Sequence, residues 1–556
     1  MTDRSLPRRF FPHSRNRRFA ALALLSASLG LLMGEGRQEQ VIEKQVPAGL
    51  MEGVLEIADD QTVSDGKGKE AAATHGKGET VWDKSKSLRV HAVKPGGPLD
   101  DSGIRKRDEV IGVQIGGKTV MFTDFHEGMR VLGEGIDVTA ANGGKINLKL
   151  RAGRDGSGVP VAIPKAGSFI PGHAIEKGTV EGKENKNERM FRGTSRWLAK
   201  HQGEDGLISP NGDSSPATAL AGLSWMSSPN PDDQARAAKC VAHYEGVLGK
   251  DLKIWFNLQG EDCNEKINDA VAGPNLYGWA ILLVSEYNWR HPDPKRTALL
   301  QKACDAYVQY HFNPSYKYKA PSKLKDDKYF KDPDGRPKEY RKEQLDFTKL
   351  NTRDPSNDVF DGLVPDPSPA MAMWCWSHCA ATSGVKVPPQ AFQAGIQWGT
   401  DKLQAKGKGA LSRHDAACMA QALLKATGPA AALGSRMADF VAKSPLHGDE
   451  SEAGMAAVAP MLMRGGVAAY RQRFPEWRWY LSLMMQPSGE AKQAACKRRA
   501  YLYHTLYFVF ETDENANALA AFLLTVPARK LMMTGAAAPA AVSEGYDIKK
   551  GPESSK

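Results

Sequence analysis

The feature that most constrains the fold is a spaced pattern of residues near position 200. Trp197 and Leu198 are followed after three residues by Gln202, and Gln202 is followed after three residues by Gly206. On a helix, Trp197 and Leu198 anchor one face in an apolar core, and the amide of Gln202 can bond backbone groups that a helix end leaves without partners. Gly206 permits the turn that follows. Pro216 then precedes another apolar run, so the pattern predicts helices packed in pairs.

Helical periodicity continues through most of residues 187–535, in segments separated by Gly, Pro or Asp turns. A closed ring of paired inner and outer helices suits this pattern. An open stack of helix hairpins is the alternative, but the sequence shows no repeat of fixed period. The clearest helical segments are 231–248, 277–289, 295–310, 369–382, 389–403, 414–427, 455–463 and 499–510.

A different pattern occupies residues 46–165, which contain a Gly- and Lys-rich stretch at 65–80 that is expected to be a flexible insertion. Beyond the insertion, residues 88–93 alternate as a strand, and a Pro-Gly-Gly-Pro-Leu turn leads into a short helix. A strand at 107–113, a Gly-Gly-Lys turn, a helix within 123–140 and a closing strand at 145–150 follow. Their order and spacing resemble a PDZ domain of the bacterial export type.

In PDZ domains a peptide adds a strand between a sheet edge and a groove helix, and amides of a Gly-containing loop hold its terminal carboxylate. The resemblance therefore implies a binding site for a peptide or protein partner. An alternative is that the module only docks structurally and has no free-peptide ligand. The residues that the resemblance assigns to the site are Gly49, Leu50 and Met51 in the loop, and Phe125, Met129 and Leu132 on the helix.

The spacing around Trp197 resembles the QW repeat of terpenoid-cyclase and prenyltransferase-type α/α toroids, with Ile208 in place of the closing Trp. Together with the leader described below, the chain is similar to a bacterial family of exported PDZ-plus-toroid proteins of unknown function. The resemblance implies a multidomain protein, with a PDZ-like β-rich domain followed by an all-α toroid at 187–535. A polar insertion at 313–368 and a disordered tail at 536–556 complete this prediction.

Residues 1–36 have the pattern of an export signal, because an Arg-rich start precedes an apolar run at 19–33. A membrane-spanning helix needs about 20 apolar residues, and this run is shorter. We expect export to the periplasm, the cell envelope or the extracellular space. Retention of the leader as an N-terminal membrane anchor is the alternative.

The formal net charge of +10 does not indicate nucleic-acid binding, because the charge is concentrated in two places. Residues 1–18 carry six Arg against one Asp, which accounts for half of it. Residues 316–349 carry eleven Lys or Arg against seven Asp or Glu. What remains is nearly neutral, so no nucleic-acid partner is expected.

Motifs for catalysis are not recognisable in the sequence. The Asp-x-Asp-Asp run of protonating terpene cyclases, the Cys-Gly-Glu-Gln run of thioester toroids and the Gly-x-Ser-x-Gly elbow do not occur. The enzyme alternative is a carbohydrate-active hydrolase or lyase with its site in the toroid cavity. Its candidate wall residues are Trp279, Tyr287, Trp374, Trp398, Trp477 and Trp479, all of which also suit core packing.

A zinc-dependent site is the other enzyme alternative. Cys375, His378 and Cys379 share one helix face, and His414 and Cys418 form a further pair four residues apart. Two such helices facing each other would supply four zinc ligands. Core packing is the favoured interpretation, so no metal or cofactor is predicted. Seven cysteines in 556 residues do not form a disulfide framework.

The sequence thus predicts an exported peptide-binding or scaffolding protein that uses a PDZ-like groove attached to an α/α toroid. The enzyme alternative requires a deep polar cavity with converging carboxylates or a Cys/His cluster. A toroid filled by apolar side chains would favour the scaffold.

Overall fold

A computed structural model of the chain contains an N-terminal antiparallel sheet within residues 41–163, followed by a mostly helical region. Contacts divide the chain into two compact units, one comprising Met1–Glu43 with Cys496–Phe510 and the other Lys44–Ala495 with Glu511–Lys556. The structure describes residues 41–57, 86–151, 158–175, 185–208, 216–249, 274–312, 345–348, 350, 368–405, 411–443, 452–465, 467–492, 496–502, 505–509 and 513–536. The leader, the 65–80 insertion, most of the 313–368 insertion and nearly all of the tail lie outside these residues.

The sheet is antiparallel throughout, and its strands lie in the order β7-β6-β4-β3-β2-β1, with β5 paired to β4. A short helix, α1 (Pro98–Asp101), and a long helix, α2 (Phe125–Asn142), connect its strands. The strands are β1 (Val41–Pro47), β2 (Gly53–Ile57), β3 (Leu88–Val93), β4 (Glu109–Ile115), β5 (Lys118–Met121), β6 (Gly144–Leu150) and β7 (Val159–Ile163).

Local sequence signals set these elements. The backbone amide of Glu127 donates to the side chain of Asp124 over 2.8 Å, which caps the start of α2. Gly143, with a φ of +76°, follows the last residue of α2 in a conformation that glycine adopts readily. The predicted strands at 88–93 and 145–150 and the predicted helix after Phe122 are confirmed.

The helical region consists of α3 to α14, in which each even-numbered helix is largely buried and each odd-numbered helix is partly exposed. The helices are α3 (Lys186–His201), α4 (Ala217–Ser227), α5 (Pro231–Leu248), α6 (Pro274–Arg290), α7 (Pro294–Phe312), α8 (Pro369–Ser383), α9 (Pro389–Gln404), α10 (Arg413–Ala422), α11 (Gly428–Lys443), α12 (Glu452–Arg464), α13 (Val467–Met484) and α14 (Asp513–Thr525).

The buried helices contact one another in a closed cycle. Within the described residues, α4, α6, α8, α10 and α12 each contact the next, and α14 contacts both α12 and α4. The partly exposed helices alternate with them along the chain and pack against them. A helix that is apolar on all sides must be covered on all sides, and this arrangement provides that cover for α4, whose eleven residues are all buried.

One predicted helix is wrong. The described part of the predicted helix 499–510 lies in two antiparallel strands, β8 (Cys496–Leu502) and β9 (Thr505–Val509), with Arg498 opposite Val509 and Leu502 opposite Thr505. Aromatic and β-branched residues dominate this run, and they favour extended backbone. Nearly every position in this short run is apolar or aromatic, so its pattern does not distinguish a helical period from a strand. This hairpin belongs to the smaller unit.

The pattern near position 200 forms the first helix connection. Leu198 and Ile208 are buried, and Gly206 has a φ of +88°. Gln202 Nε2 donates to the carbonyl oxygens of Gly206, at 3.4 Å, and Arg236, at 3.0 Å. The Gln therefore bonds the neighbouring helix α5 as well as its own turn, which ties α3 to α5.

Among the described residues, we find no helix that combines the length and the apolar character needed to cross a bilayer.

The sheet and the helical region meet where α2 packs against α13. Trp479 and Leu483 of α13 belong to the same apolar core as Phe125, Met129 and Leu132 of α2. The helices approach closely at Gly133, where an added Cβ would lie 2.3 Å from the carbonyl oxygen of Trp479. Gly133 is therefore required by the packing of α2 on α13.

We expect Gly133→Ala to destabilise the protein by about 1–3 kcal/mol, because the new methyl group would meet backbone atoms that cannot move aside. The matched control is Gly246→Ala, since Gly246 lies inside α5 with no atom within 4 Å of a built Cβ. That change should stabilise the protein by about 0.5–1 kcal/mol through helix propensity. Urea unfolding of both variants measures the two effects; a Gly133→Ala variant as stable as the wild type would contradict the close approach.

Candidate functional site

All six residues assigned to the peptide site are buried. Gly49, Leu50 and Met51 form one turn of 3-10 helix between β1 and β2, and all three are buried. Phe125, Met129 and Leu132 lie on α2 and are at most 3% exposed. The structure therefore brings both halves of the predicted site together in one core, which also includes Val46 and Leu55 of the hairpin formed by β1 and β2.

Strand β1 covers the edge of β2 that faces away from β3. Gln45 pairs with Glu56, Val46 with Leu55 and Pro47 with Val54 in an antiparallel register. Because β1 leads directly into the turn at Gly49–Met51, its carboxyl end lies at that turn. A peptide that bound by strand addition would need this same edge of β2.

The turn at Gly49–Met51 uses its own amides. The amide of Met51 donates to the carbonyl of Ala48 over 3.1 Å, and the amide of Glu52 donates to that of Gly49 over 3.0 Å. From α13, the carbonyl oxygen of Ser482 packs so closely on Gly49 that a built Cβ would lie 2.2 Å away. In this conformation the two amides are engaged within the turn and are not offered to a carboxylate.

A buried ion pair joins α2 to the helical region. Lys186, the first residue of α3, places its Nζ 2.8 Å from Oδ1 of Asp137 and 3.2 Å from Oγ of Ser482. Arg478 of α13 lies 3.2 Å from the other oxygen of Asp137. Lys186 is fully buried and Asp137 is 2% exposed. Burial lowers the pKa of Lys186 despite the opposing effect of Asp137.

Aromatic rings fill the space between the buried helices. Trp279 of α6 meets Trp374 of α8 edge to face, with ring centres 5.5 Å apart, and meets Phe522 of α14 at 6.2 Å. The contact between Trp279 and Phe522 joins α6 to α14, which lies two positions from α6 in the cycle. Both Trp residues are core residues in the structure.

The other predicted wall residues are also used in packing. Trp477 is buried in the helical core, and Trp479 is buried in the core shared with the sheet. Trp398 and Tyr287 are partly buried against the helical core, and the guanidinium of Arg296 lies 5.0 Å from the ring of Tyr287.

A second buried polar centre holds the C-terminal segment. The carboxylate of Glu286, which is fully buried in α6, accepts the amides of Met532, at 2.8 Å, and Met533, at 2.7 Å. His378 Nε2 lies 3.2 Å from the same carboxylate. Burial opposes ionisation of Glu286, but the histidine and the two amides outweigh it, so the pKa of Glu286 lies below its usual range.

Two arginines reinforce this centre. Arg464 of α12 donates to Gln421 over 3.2 Å, and Gln421 donates to the carbonyl of Met533 over 3.3 Å. Arg290 donates to the carbonyls of Met226 and Lys530. Glu286 and Gln421 both bond to the backbone of Met532 or Met533, so this centre fastens the segment that follows α14.

The predicted cysteine and histidine set divides in the structure. His378 lies with Glu286, Cys418 lies with His414, and Cys375 and Cys379 are buried in the helical core. All five cysteines whose surroundings are described are unbridged and buried, as expected for small core residues. Within the described ranges, no three side chains of the types His, Cys, Asp and Glu converge as metal ligands.

His414 and Cys418 do come together at the start of α10. The Sγ of Cys418 is 3.6 Å from Nε2 of His414, and the Nδ1 of His414 is 3.4 Å from Oδ1 of Asp415. Ser368, which caps α8, donates to the same oxygen of Asp415. Burial raises the pKa of the Cys418 thiol, although His414 acts against it.

Sequence reasoning missed Lys186, Asp137 and Glu286. One signal was present for Glu286, since it is the single charged residue in the run 277–289 of an otherwise apolar helix, and a charge in such a run needs a buried partner. No comparable signal marks Lys186, because its partner lies on a helix of the other region.

The chain matches no protein-family model and has no significant similarity to a curated protein sequence.

Proposed function

We propose that this chain is a protein-binding scaffold that consists of a PDZ-like module fastened to an α/α toroid. In this proposal, the module binds partners by exchange of its own strand β1 for a strand of the partner. The observation that carries it is the pairing of β1 along β2, with Val46 opposite Leu55 and its carboxyl end at the Gly49–Met51 turn.

The PDZ-like assignment is supported by the order of elements. A Gly-containing turn precedes β2, α1 follows β3, and α2 lies between β5 and β6. This is the order that the resemblance implies. The toroid assignment is supported by the closed cycle of contacts among α4, α6, α8, α10, α12 and α14.

A binding role is favoured over catalysis in the helical region by the packing of its large aromatic residues. Trp279 of α6 contacts both Trp374 of α8 and Phe522 of α14, so these rings pack on one another. The carboxylates of Glu286 and Asp415 each lie beside a histidine. Each also accepts hydrogen bonds from other groups of this chain. Export through residues 1–36 remains part of the proposal, as does the alternative of an N-terminal anchor.

Strand exchange explains how the module can bind a partner although β1 already occupies the edge of β2. Main-chain hydrogen bonds supply most of the affinity in strand addition, and β1 makes them within the chain. A partner then competes with β1. Its apparent affinity equals its intrinsic affinity multiplied by the fraction of molecules in which β1 has left β2.

The test uses a labelled peptide with the sequence of β1, residues 41–47, and a variant that lacks residues 1–47. The truncated protein should bind the peptide, and the full chain should bind it at least about tenfold more weakly, since β1 occupies the site. Fluorescence polarisation measures both, with a scrambled peptide as the negative control. Equal binding by the two proteins, or none by a truncated protein with native circular dichroism, would refute strand exchange.

A second variant keeps the test valid if truncation impairs folding. Gln45 and Glu56 are Cα partners, so Gln45→Cys with Glu56→Cys permits a disulfide that fixes β1 on β2 in the full chain. Oxidation should abolish peptide binding and reduction should restore it. Lys145→Cys with Ala162→Cys joins β6 to β7 in the same way and should leave binding unchanged. Peptide binding to the oxidised first variant would contradict the assignment.

A further inference from the structure

We propose that Cys418, His414 and Met371 form a binding site for a soft monovalent metal ion of the Cu(I) class. The three side chains come from neighbouring buried helices, since Met371 is on α8 while His414 and Cys418 are on α10. This departs from the sequence-based expectation that the chain binds no metal.

The spacing of the donor atoms fits a shared ion. Cys418 Sγ is 3.6 Å from His414 Nε2 and 3.9 Å from Met371 Sδ. Metal–sulfur bonds of about 2.3 Å and metal–nitrogen bonds of about 2.0 Å place donor atoms at such separations when they surround one ion. The separations of Cys418 from the other two donors therefore need little change on binding.

The orientation of His414 is that of a metal ligand. Its Nδ1 faces Oδ1 of Asp415 at 3.4 Å, so Nε2 is directed toward the sulfur of Cys418. Metal-bound histidines usually donate their other ring nitrogen to a carboxylate or carbonyl, which fixes the ring and its tautomer. Ser368, which caps α8, donates a hydrogen bond to Asp415 of α10. The carboxylate that faces His414 is therefore held by both helices.

The donor set selects the class of ion. Cysteine and thioether sulfur are soft donors that favour Cu(I) over hard ions such as Mg²⁺ and Ca²⁺, and imidazole, a borderline donor, also suits copper. A zinc site from Cys and His alone is disfavoured, because His378 lies with Glu286 and no three His, Cys, Asp or Glu side chains of the described residues converge. Met371 supplies a third donor atom beside Cys418 and His414.

Burial and access are compatible with a metal ion. Cys418 and Met371 are fully buried, which excludes water from the ion. The side chain of His414 retains 15% of its exposure and Asp415 retains 21%, so the ion can enter at the start of α10.

The experiment is an anaerobic titration of the reduced full chain with the Cu(I) complex of bicinchoninate, whose colour is lost when protein removes the metal. We expect one equivalent of tightly held Cu(I), and an X-ray absorption spectrum with two sulfur donors and one nitrogen donor. Cys418→Ser, His414→Gln and Met371→Leu should each weaken binding, the first two by more than about 100-fold. Asp415→Asn should weaken it about 10–100-fold.

Two matched variants serve as controls. Cys240→Ser alters a buried cysteine on α5, and Met373→Leu alters the methionine two positions beyond Met371, whose sulfur packs on Gly395. Both should keep wild-type affinity. Exchange of Met for Leu conserves volume, so neither Met variant should unfold. Failure of the wild type to remove Cu(I) from bicinchoninate, or undiminished binding by Cys418→Ser, would overturn the proposal.

Discussion

Replacing Asp137 with Ala should lower the free energy of unfolding by about 3–5 kcal/mol, as measured by urea denaturation. The change leaves the ammonium of Lys186 fully buried without its carboxylate partner, and it removes the second contact of that carboxylate with Arg478. An uncompensated buried charge is among the most costly defects that a single substitution can create.

Two further variants separate the ion pair from general disruption. Glu134→Ala removes an ion pair with Arg130 on the same helix, in which both side chains are about a third exposed, so it should cost about 0.5 kcal/mol or less. Asp137→Leu combined with Lys186→Met removes both charges and should recover much of the loss, because apolar groups of similar size pack well in such positions. A double variant as unstable as Asp137→Ala would show that the charge imbalance is not the cause.

Glu286→Gln should cost about 2–4 kcal/mol, since a side-chain amide offers one acceptor oxygen where the carboxylate offers two. One of the amides of Met532 and Met533 would then face an NH₂ group in the core. Glu204→Gln, at an exposed position in a turn, should change stability by no more than about 0.5 kcal/mol. Urea unfolding at neutral pH compares the three proteins.

The pH dependence provides an independent test of Glu286. Its pKa in the folded protein lies below the ordinary value of about 4.3 for an unfolded chain. Ionisation of Glu286 therefore stabilises the fold fully above that ordinary value, and this contribution declines as the pH falls through the folded-state pKa. The difference in stability between wild type and Glu286→Gln should be constant from about pH 7 to pH 5 and should shrink at lower pH. A difference that stays constant down to pH 3 would contradict the lowered pKa.

Much of the secondary structure followed from local signals. The segment 231–248 matches α5 because Asn230 caps the helix and Pro231 opens it. The start at Pro369 was likewise fixed by Ser368 and the proline. The hairpin of β8 and β9 was missed because a short run that is apolar or aromatic at nearly every position does not define a period.

The sequence indicated which residues share a face at the candidate site, but it did not indicate what packs against them. Phe125, Met129 and Leu132 were assigned to the groove face from their helical spacing, yet their burial depends on α13, whose Ser482 is 345 positions from Asp137 along the chain. Similarly, Glu286 and Met532 are separated by 246 positions. Contacts over such separations leave no periodic trace in the sequence, so only the three-dimensional structure identifies them.

The contact of α14 with α3 and α4 has a consequence for biosynthesis. Because the last helix completes the cover of the first buried helix, a nascent chain still attached to the ribosome lacks one wall of its core until the final helix emerges. Long-range closure of this kind slows folding and prolongs the exposure of apolar surface. Premature termination anywhere before Asp513 would therefore yield a product that chaperones and proteases recognise as incomplete, however much of the polypeptide had been translated.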